Sequence, residues 1–118
     1  MVAKNYSPDR GDFIWIDLNP RQGHEQSGRR PAIVLSPKSY NRKTGLCVIC
    51  PATLQSKGYA FEVEHVSPRG ERGVILSDHV RNVDWHVRQP QFICRVSSEV
   101  LDEVIAKLFA LIIDPDET

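Results

Sequence analysis

GRRPAIVLSPKSYNRKTGLCVICPAT, residues 28–53, sets two short apolar runs on either side of a polar segment. PAIVLS and LCVICPAT are rich in β-branched residues and too short for stable helices, so each reads as a strand. SYNRKTG, residues 39–45, reads as the polar turn between them, and Pro51 is expected to end or bulge the second run. Paired antiparallel through that turn, the two runs bring their outer ends together. Arg30 stands 12 residues before the turn's centre near Arg42, and Thr53 stands 11 after it. Arginine at the entry and threonine at the exit therefore meet, provided Pro51 does not shift the register.

Working outward, GDFIWIDL (residues 11–18) alternates Phe13, Trp15 and Asp17 with Ile14, Ile16 and Leu18, which is a strand pattern closed by Asn19 and Pro20. Trp15 reads as a core or interface residue, and Trp85 as able to stack on a base. Residues 21–30 form a polar loop longer than an ordinary hairpin connection. Beyond residues 54–58, AFEVEHV, GVILSD, HVRNVDWHV and QFICRVS give further extended pieces, six or seven strands altogether. From Ser98 the period becomes helical. Leu101, Ile105, Leu108 and Ile112 share a face that Val100, Val104 and Leu111 widen, while Glu99, Asp102 and Glu103 suit the positive end of the helix, which stops before Pro115. The expected fold is mainly β: a strongly curved small sheet or barrel, one domain over residues 1–118, with a C-terminal helix.

Composition excludes some classes of function. No apolar run approaches the roughly 18 residues that cross a bilayer, and MVAKNYSPDRGD lacks the apolar stretch of a secretory signal, so a soluble cytoplasmic protein without membrane contact is expected. The formal charge is zero but unevenly spread. Residues 1–58 hold nine Lys and Arg against four Asp and Glu, a net of +5, and residues 59–118 hold six against eleven, a net of −5. Local charge decides phosphate binding, so the basic half favours an anionic partner.

Cys47 and Cys50 have the spacing of a zinc knuckle or redox pair, but residues three apart on a strand point to opposite faces and no second pair follows. They read as buried small hydrophobes, and Cys94 stands alone. His24, His65, His79 and His86 show no metal spacing, so neither metal nor cofactor is expected. Arginine beside a hydroxyl suits a different chemistry. When the ribose 2′-hydroxyl attacks its own phosphodiester, a protein has to move two protons and stabilise a highly charged phosphorus centre, and a guanidinium fork with a hydroxyl donor can do the second.

The runs GDFIWIDLNP, GHEQSGRRPAIVLSPKSYNRKTG, PATLQSKGYAFEV and GVILSDHVRNVDW occur in that order and closely resemble the MazF/PemK toxin family, from about Tyr6 to Ile113. The resemblance implies an SH3-like barrel that works as a homodimer and cuts single-stranded RNA at a short sequence without metal, leaving a 2′,3′-cyclic phosphate and a 5′-hydroxyl. It implies an acidic antitoxin as partner. Arg30 of GRRP matches the family's catalytic arginine, Thr53 of PAT its catalytic threonine, and Glu25 an acidic residue important in close relatives; the general base stays unassigned. Arg29 falls at a less constrained position, suited to attracting phosphate. Gln26, Ser27, Asn41, Gln55, Ser56 and Lys57 fall in segments bordering the family's RNA groove, and Asp78 and Arg81 resemble residues used for binding or catalysis in some branches. PRGERG, CVIC and DPDET are not signatures of the family. Two rival readings stand beside this one: a non-catalytic toxin of the same fold that poisons a topoisomerase, resembling CcdB, and an RNA-binding module without turnover. The first is opposed by the absence of Trp in the final helix and by the presence of GRRP and PAT.

Overall fold

The computed structural model describes residues 5–19 and 28–113. Along the chain run β1 (Asp12–Asp17), β2 (Arg29–Val34), α1 (Lys38–Thr44), β3 (Leu46–Thr53), β4 (Glu62–Val66), β5 (Arg72–Leu76), β6 (Arg81–Asp84), a 3-10 turn (His86–Arg88), β7 (Gln91–Arg95) and α2 (Ser98–Ile112). The seven strands form one antiparallel sheet in the order β4-β5-β3-β2-β1-β7, with β6 also on β3. Curling gives it two buried faces. Ile14, Ile16, Ala32, Val34, Cys47 and Ile49 build one core with Trp85, and the alternate residues Phe13, Ile33, Cys50, Ala52, Val63 and Ile75 build the other against α2. Strict alternation along each strand produces this division.

β3 is the long central strand, and Pro51 neither ends nor bulges it. Its pairs run Val34↔Ile49, Ile33↔Cys50 and Ala32↔Pro51 without a shift. The carbonyl of Val48 accepts from Leu35 of the β2 side, so by alternation the odd residues of β3 direct their backbone groups to the opposite edge. On that edge β6 pairs with residues 46–49 and β5 with 52–53. Pro51 falls between the two partners, where no amide hydrogen is required.

The turn expected at residues 39–45 is a short helix instead. α1 is closed by the Gly45 amide donating to the Asn41 carbonyl at 3.0 Å, with Arg42 and Lys43 in its last turn. Asn41 is the reason. It is wholly buried, its side-chain amide donating to the carbonyls of Pro8 (2.8 Å) and Ser36 (3.0 Å) while its Oδ1 accepts from the Ser36 hydroxyl (2.6 Å). Its backbone carbonyl also accepts from the Trp85 indole at 2.9 Å. Trp85 is thus a core residue with a satisfied N–H, not a stacking platform.

In α2 the buried stripe is centred on Val104, with Val100, Leu101 and Leu108 beside it. Ile105 and Ile112, expected on that face, lie at its exposed margin. Ser97 caps the helix, its hydroxyl oxygen accepting from the Val100 amide at 3.2 Å. Cys47 and Cys50 belong to opposite cores, and burial pushes each thiol up to about 12, which keeps them protonated. No helix among the described residues is long and apolar enough to cross a membrane.

Candidate active site

The register of β2 on β3, continued two residues past Ala32↔Pro51, places Arg30 across from Thr53. On its other side Arg30 pairs with Ile16, and Arg29 with Asp17. The two arginines therefore lie on opposite faces of β2. Arg30 is half-buried on the Ile16 side; Arg29 is exposed and donates from Nη2 to Gln91 at 3.3 Å.

Thr53 ends β3, half-buried and paired with Val74 of β5. Its hydroxyl oxygen accepts from the Gln55 amide at 3.2 Å. A hydroxyl has one proton and two lone pairs, so with one lone pair engaged the proton stays available to an incoming acceptor. Gly73 supports the same residue from below. A Cβ there would stand 2.9 Å from the Thr53 carbonyl oxygen, so only glycine lets β5 approach this closely.

An open cleft of about 890 Å³ lies beside the pair, lined among others by Trp15, Arg29, Arg30, Thr53, His65 and Arg69. Trp15 is 40% exposed there, with one flank available to a partner. The His65 ring sits 4.5 Å from that of Phe13, and its Nε2 is buried without a hydrogen-bond partner. Burial lowers its pKa and keeps the ring neutral.

The remaining expected residues divide. Glu25, Gln26 and Ser27 lie outside the described residues. Gln55, Ser56 and Lys57 are exposed in the segment that leaves Thr53. That segment is held by one side chain the sequence did not single out: Glu62 accepts from the Ser56 hydroxyl (2.7 Å) and from the Lys57 (2.8 Å) and Gly58 (3.0 Å) amides. The Lys57 amide first, then the Ser56 hydroxyl, hold the Glu62 carboxyl below its ordinary range. Asp78 and Arg81 do not line the cleft. Asp78 accepts from the Tyr59 hydroxyl at 2.8 Å, and Arg81 reaches toward the Leu18 carbonyl at 3.5 Å. Asn41 is withdrawn altogether: its side-chain donors and acceptor are engaged inside the protein, which corrects its expected place at the groove. Among the described residues no three His, Cys, Asp or Glu converge as a metal site would require.

Comparison with known proteins adds a family. Residues 9–112 match the model for the PemK-like, MazF-like toxin of type II toxin-antitoxin systems. The chain is 46% identical over 111 residues to the endoribonuclease toxin MazF of Escherichia coli K12, covering 94% of this chain and 99% of that one. With the endoribonuclease PemK of Escherichia coli it shares 30% over 117 residues, covering 95% and 87%. Among solved structures, MazF of Deinococcus radiodurans superimposes with a TM-score of 0.87 at 46% identity, covering 92% of this chain and 98% of that one. A MazE-MazF complex from the same organism superimposes with a TM-score of 0.80 at 42% identity, covering 92% and 97%.

Proposed function

Because this chain belongs to the PemK-like, MazF-like toxin family, we propose that it is an endoribonuclease toxin that cuts single-stranded RNA at a short sequence and is neutralised by a cognate antitoxin. The carrying observation is the register of β2 on β3, whose continuation sets Arg30 across from Thr53, together with the Thr53 hydroxyl accepting from the Gln55 amide. The ribose 2′-oxygen gives up its proton and attacks the adjacent phosphorus; the bond to the 5′-oxygen breaks and that oxygen takes a proton. The products are a 2′,3′-cyclic phosphate and a 5′-hydroxyl, with no redox change and no water consumed. Arg30 would hold the equatorial oxygens as charge builds, Thr53 would donate to one of them, and Glu25 would move a proton or orient Arg30.

Arg29, exposed at the cleft, would attract phosphate electrostatically, and Gln55, Ser56 and Lys57 would contact RNA along the segment after Thr53. Asp78 would act through Tyr59, and Arg81 would border the groove from beyond the cleft. Two copies of the single domain would form the working homodimer in the cytoplasm. An acidic antitoxin segment suits the same basic groove, because an arginine fork accepts carboxylate and phosphate alike.

Incubating the purified protein with a long RNA in excess EDTA and mapping the new ends tests this reading. Cuts should cluster at one short sequence and leave cyclic phosphate termini. Absence of cutting, or cutting that survives equally in Arg30→Ala, overturns it. Antitoxin should displace an RNA oligonucleotide held by Arg30→Ala; a ternary complex with both bound independently rules out occlusion.

A further inference from the structure

We propose that Glu62 is a positioning residue for RNA cleavage, holding residues 55–58 in the conformation that orients the Thr53 hydroxyl and presents Ser56 and Lys57 to RNA; this rests on the ribonuclease reading above. Four consecutive residues, 55–58, link Glu62 to the proposed catalytic hydroxyl. The Glu62 carboxylate accepts from Ser56 Oγ, Lys57 N and Gly58 N, and the Gln55 amide next to them donates to Thr53 Oγ1. Gly58 at φ 75° makes the turn in which successive amides point inward, a concave site for an anion. Here the anion is the protein's own carboxylate.

Glu62 is itself firmly placed. It opens β4 opposite Leu76, and its carbonyl accepts from the Lys107 ammonium of α2 at 2.9 Å. A long polar connection is thereby tied to the sheet and to the C-terminal helix through one residue. Without the carboxylate, residues 55–58 keep two side-chain hydrogen bonds among the described residues, Gly58 N to Ser56 Oγ at 3.3 Å inside the segment and Gln55 N to Thr53 Oγ1 at 3.2 Å at its entry, and neither ties residues 56–58 to the sheet. The Gln55 amide would then cease to define the hydroxyl's direction.

The chemistry of the anchor supplies a signature. Three donors converge on two carboxylate oxygens, so the isosteric amide of Glu62→Gln turns an NH2 toward donor groups and cannot replace it. Gln, which leaves at least one backbone amide facing its NH2, should therefore stay defective alongside Ala, whereas a residue needed only for size would be rescued by Gln. The experiment measures single-turnover cleavage of a long RNA by wild type, Glu62→Gln, Glu62→Ala and Glu64→Gln, with cut-site mapping. Glu64 is exposed on the same strand and serves as the control.

Misplacement by about 1 Å typically costs on the order of 100-fold in rate. Both Glu62 variants should lose about 10- to 100-fold at the preferred sites while the ratio of preferred to secondary cuts narrows, with Glu64→Gln unchanged. Wild-type rate and preference in both Glu62 variants overturn the inference, as does rescue by Gln alone. Should the variants fail to fold, amide exchange of the wild type decides: protected Lys57 and Gly58 amides support the anchor, and exchange as fast as in an open loop overturns it. A wild-type protein that cuts no RNA defeats the ribonuclease reading instead, a result distinct from each of these.

Discussion

Replacing Thr53 by Val separates a chemical role from a packing role with the smallest change of shape. The substitution exchanges Oγ1 for a methyl group. Among the described residues one hydrogen bond is lost on the protein side, from the Gln55 amide at 3.2 Å, and Gln55 is exposed so that water can take the amide. The stability cost should be about 0.5–1 kcal/mol. The cost to the reaction is of another size. A preorganised donor aimed at developing charge contributes about 10² to 10³ in rate, or about 2.7–4 kcal/mol, because its strength is realised in the transition state. The activation term therefore exceeds the folding term severalfold, and the two are measured separately. Urea unfolding reports the first. Single-turnover cleavage of a 5′-labelled RNA with enzyme in excess and EDTA present reports the second. Thr53→Ser, which keeps the hydroxyl but loses the methyl that restricts its rotamers, should fall between Val and wild type. Val within about threefold of wild type, with Ser impaired, would refute the reasoning and make Thr53 a packing residue.

Arg30→Ala should lower cleavage by about 10² to 10³ with folding retained, whereas Arg29→Ala, on the opposite face, should change it less than tenfold; equal losses in both would contradict the division of the two arginines. Asn41→Ala removes three buried side-chain hydrogen bonds and strands their partners, so urea unfolding should show a loss of about 2–4 kcal/mol while activity per folded molecule is unchanged. His65 should make the fold acid-sensitive. Its folded pKa lies below the ordinary 6.5, so its contribution is complete above 6.5 and lost as pH falls through the folded value, because the unfolded chain takes up the proton first. Stability curves of wild type and His65→Leu should run parallel above that window and change their separation within it, the wild type losing stability relative to the variant as pH falls; parallel curves throughout exclude His65 as the source. Cys47→Ala with Cys50→Ala should cost stability through lost burial and leave cleavage resistant to EDTA, and stoichiometric zinc in the wild type would count against the two-core placement of the thiols.

The strands and the final helix were legible because their signal is local. Alternation of apolar residues in GDFIWIDL and the 3.6-residue period after Ser98 follow from side-chain geometry within one element. Residues 39–45 depart from their local signal for a related reason: polar residues mark turns, and the helix forms because Asn41 finds burial partners outside the segment. The separation of Cys47 from Cys50 needed only alternation, and so did the approach of Arg30 to Thr53 once a hairpin was assumed.

By itself, then, the sequence determined the repeating elements, the antiparallel pairing of β2 with β3, and the ordered motifs shared with a toxin family. Tertiary structure decided what depends on residues far apart in the chain. Asn41 is satisfied by Pro8, 33 positions away, and Trp85 donates to Asn41 across 44. Gly73 has to be glycine because β5 lies against the Thr53 carbonyl, and Pro51 is tolerated because β5 and β6 share one edge of β3. Glu62 occurs in a strand pattern where any charged residue would suit the wet face, and its three donors come from a turn whose shape depends on that carboxylate. Periodicity records which face a residue occupies, whereas a hydrogen bond or a steric limit belongs to a pair of groups that only the folded chain brings together.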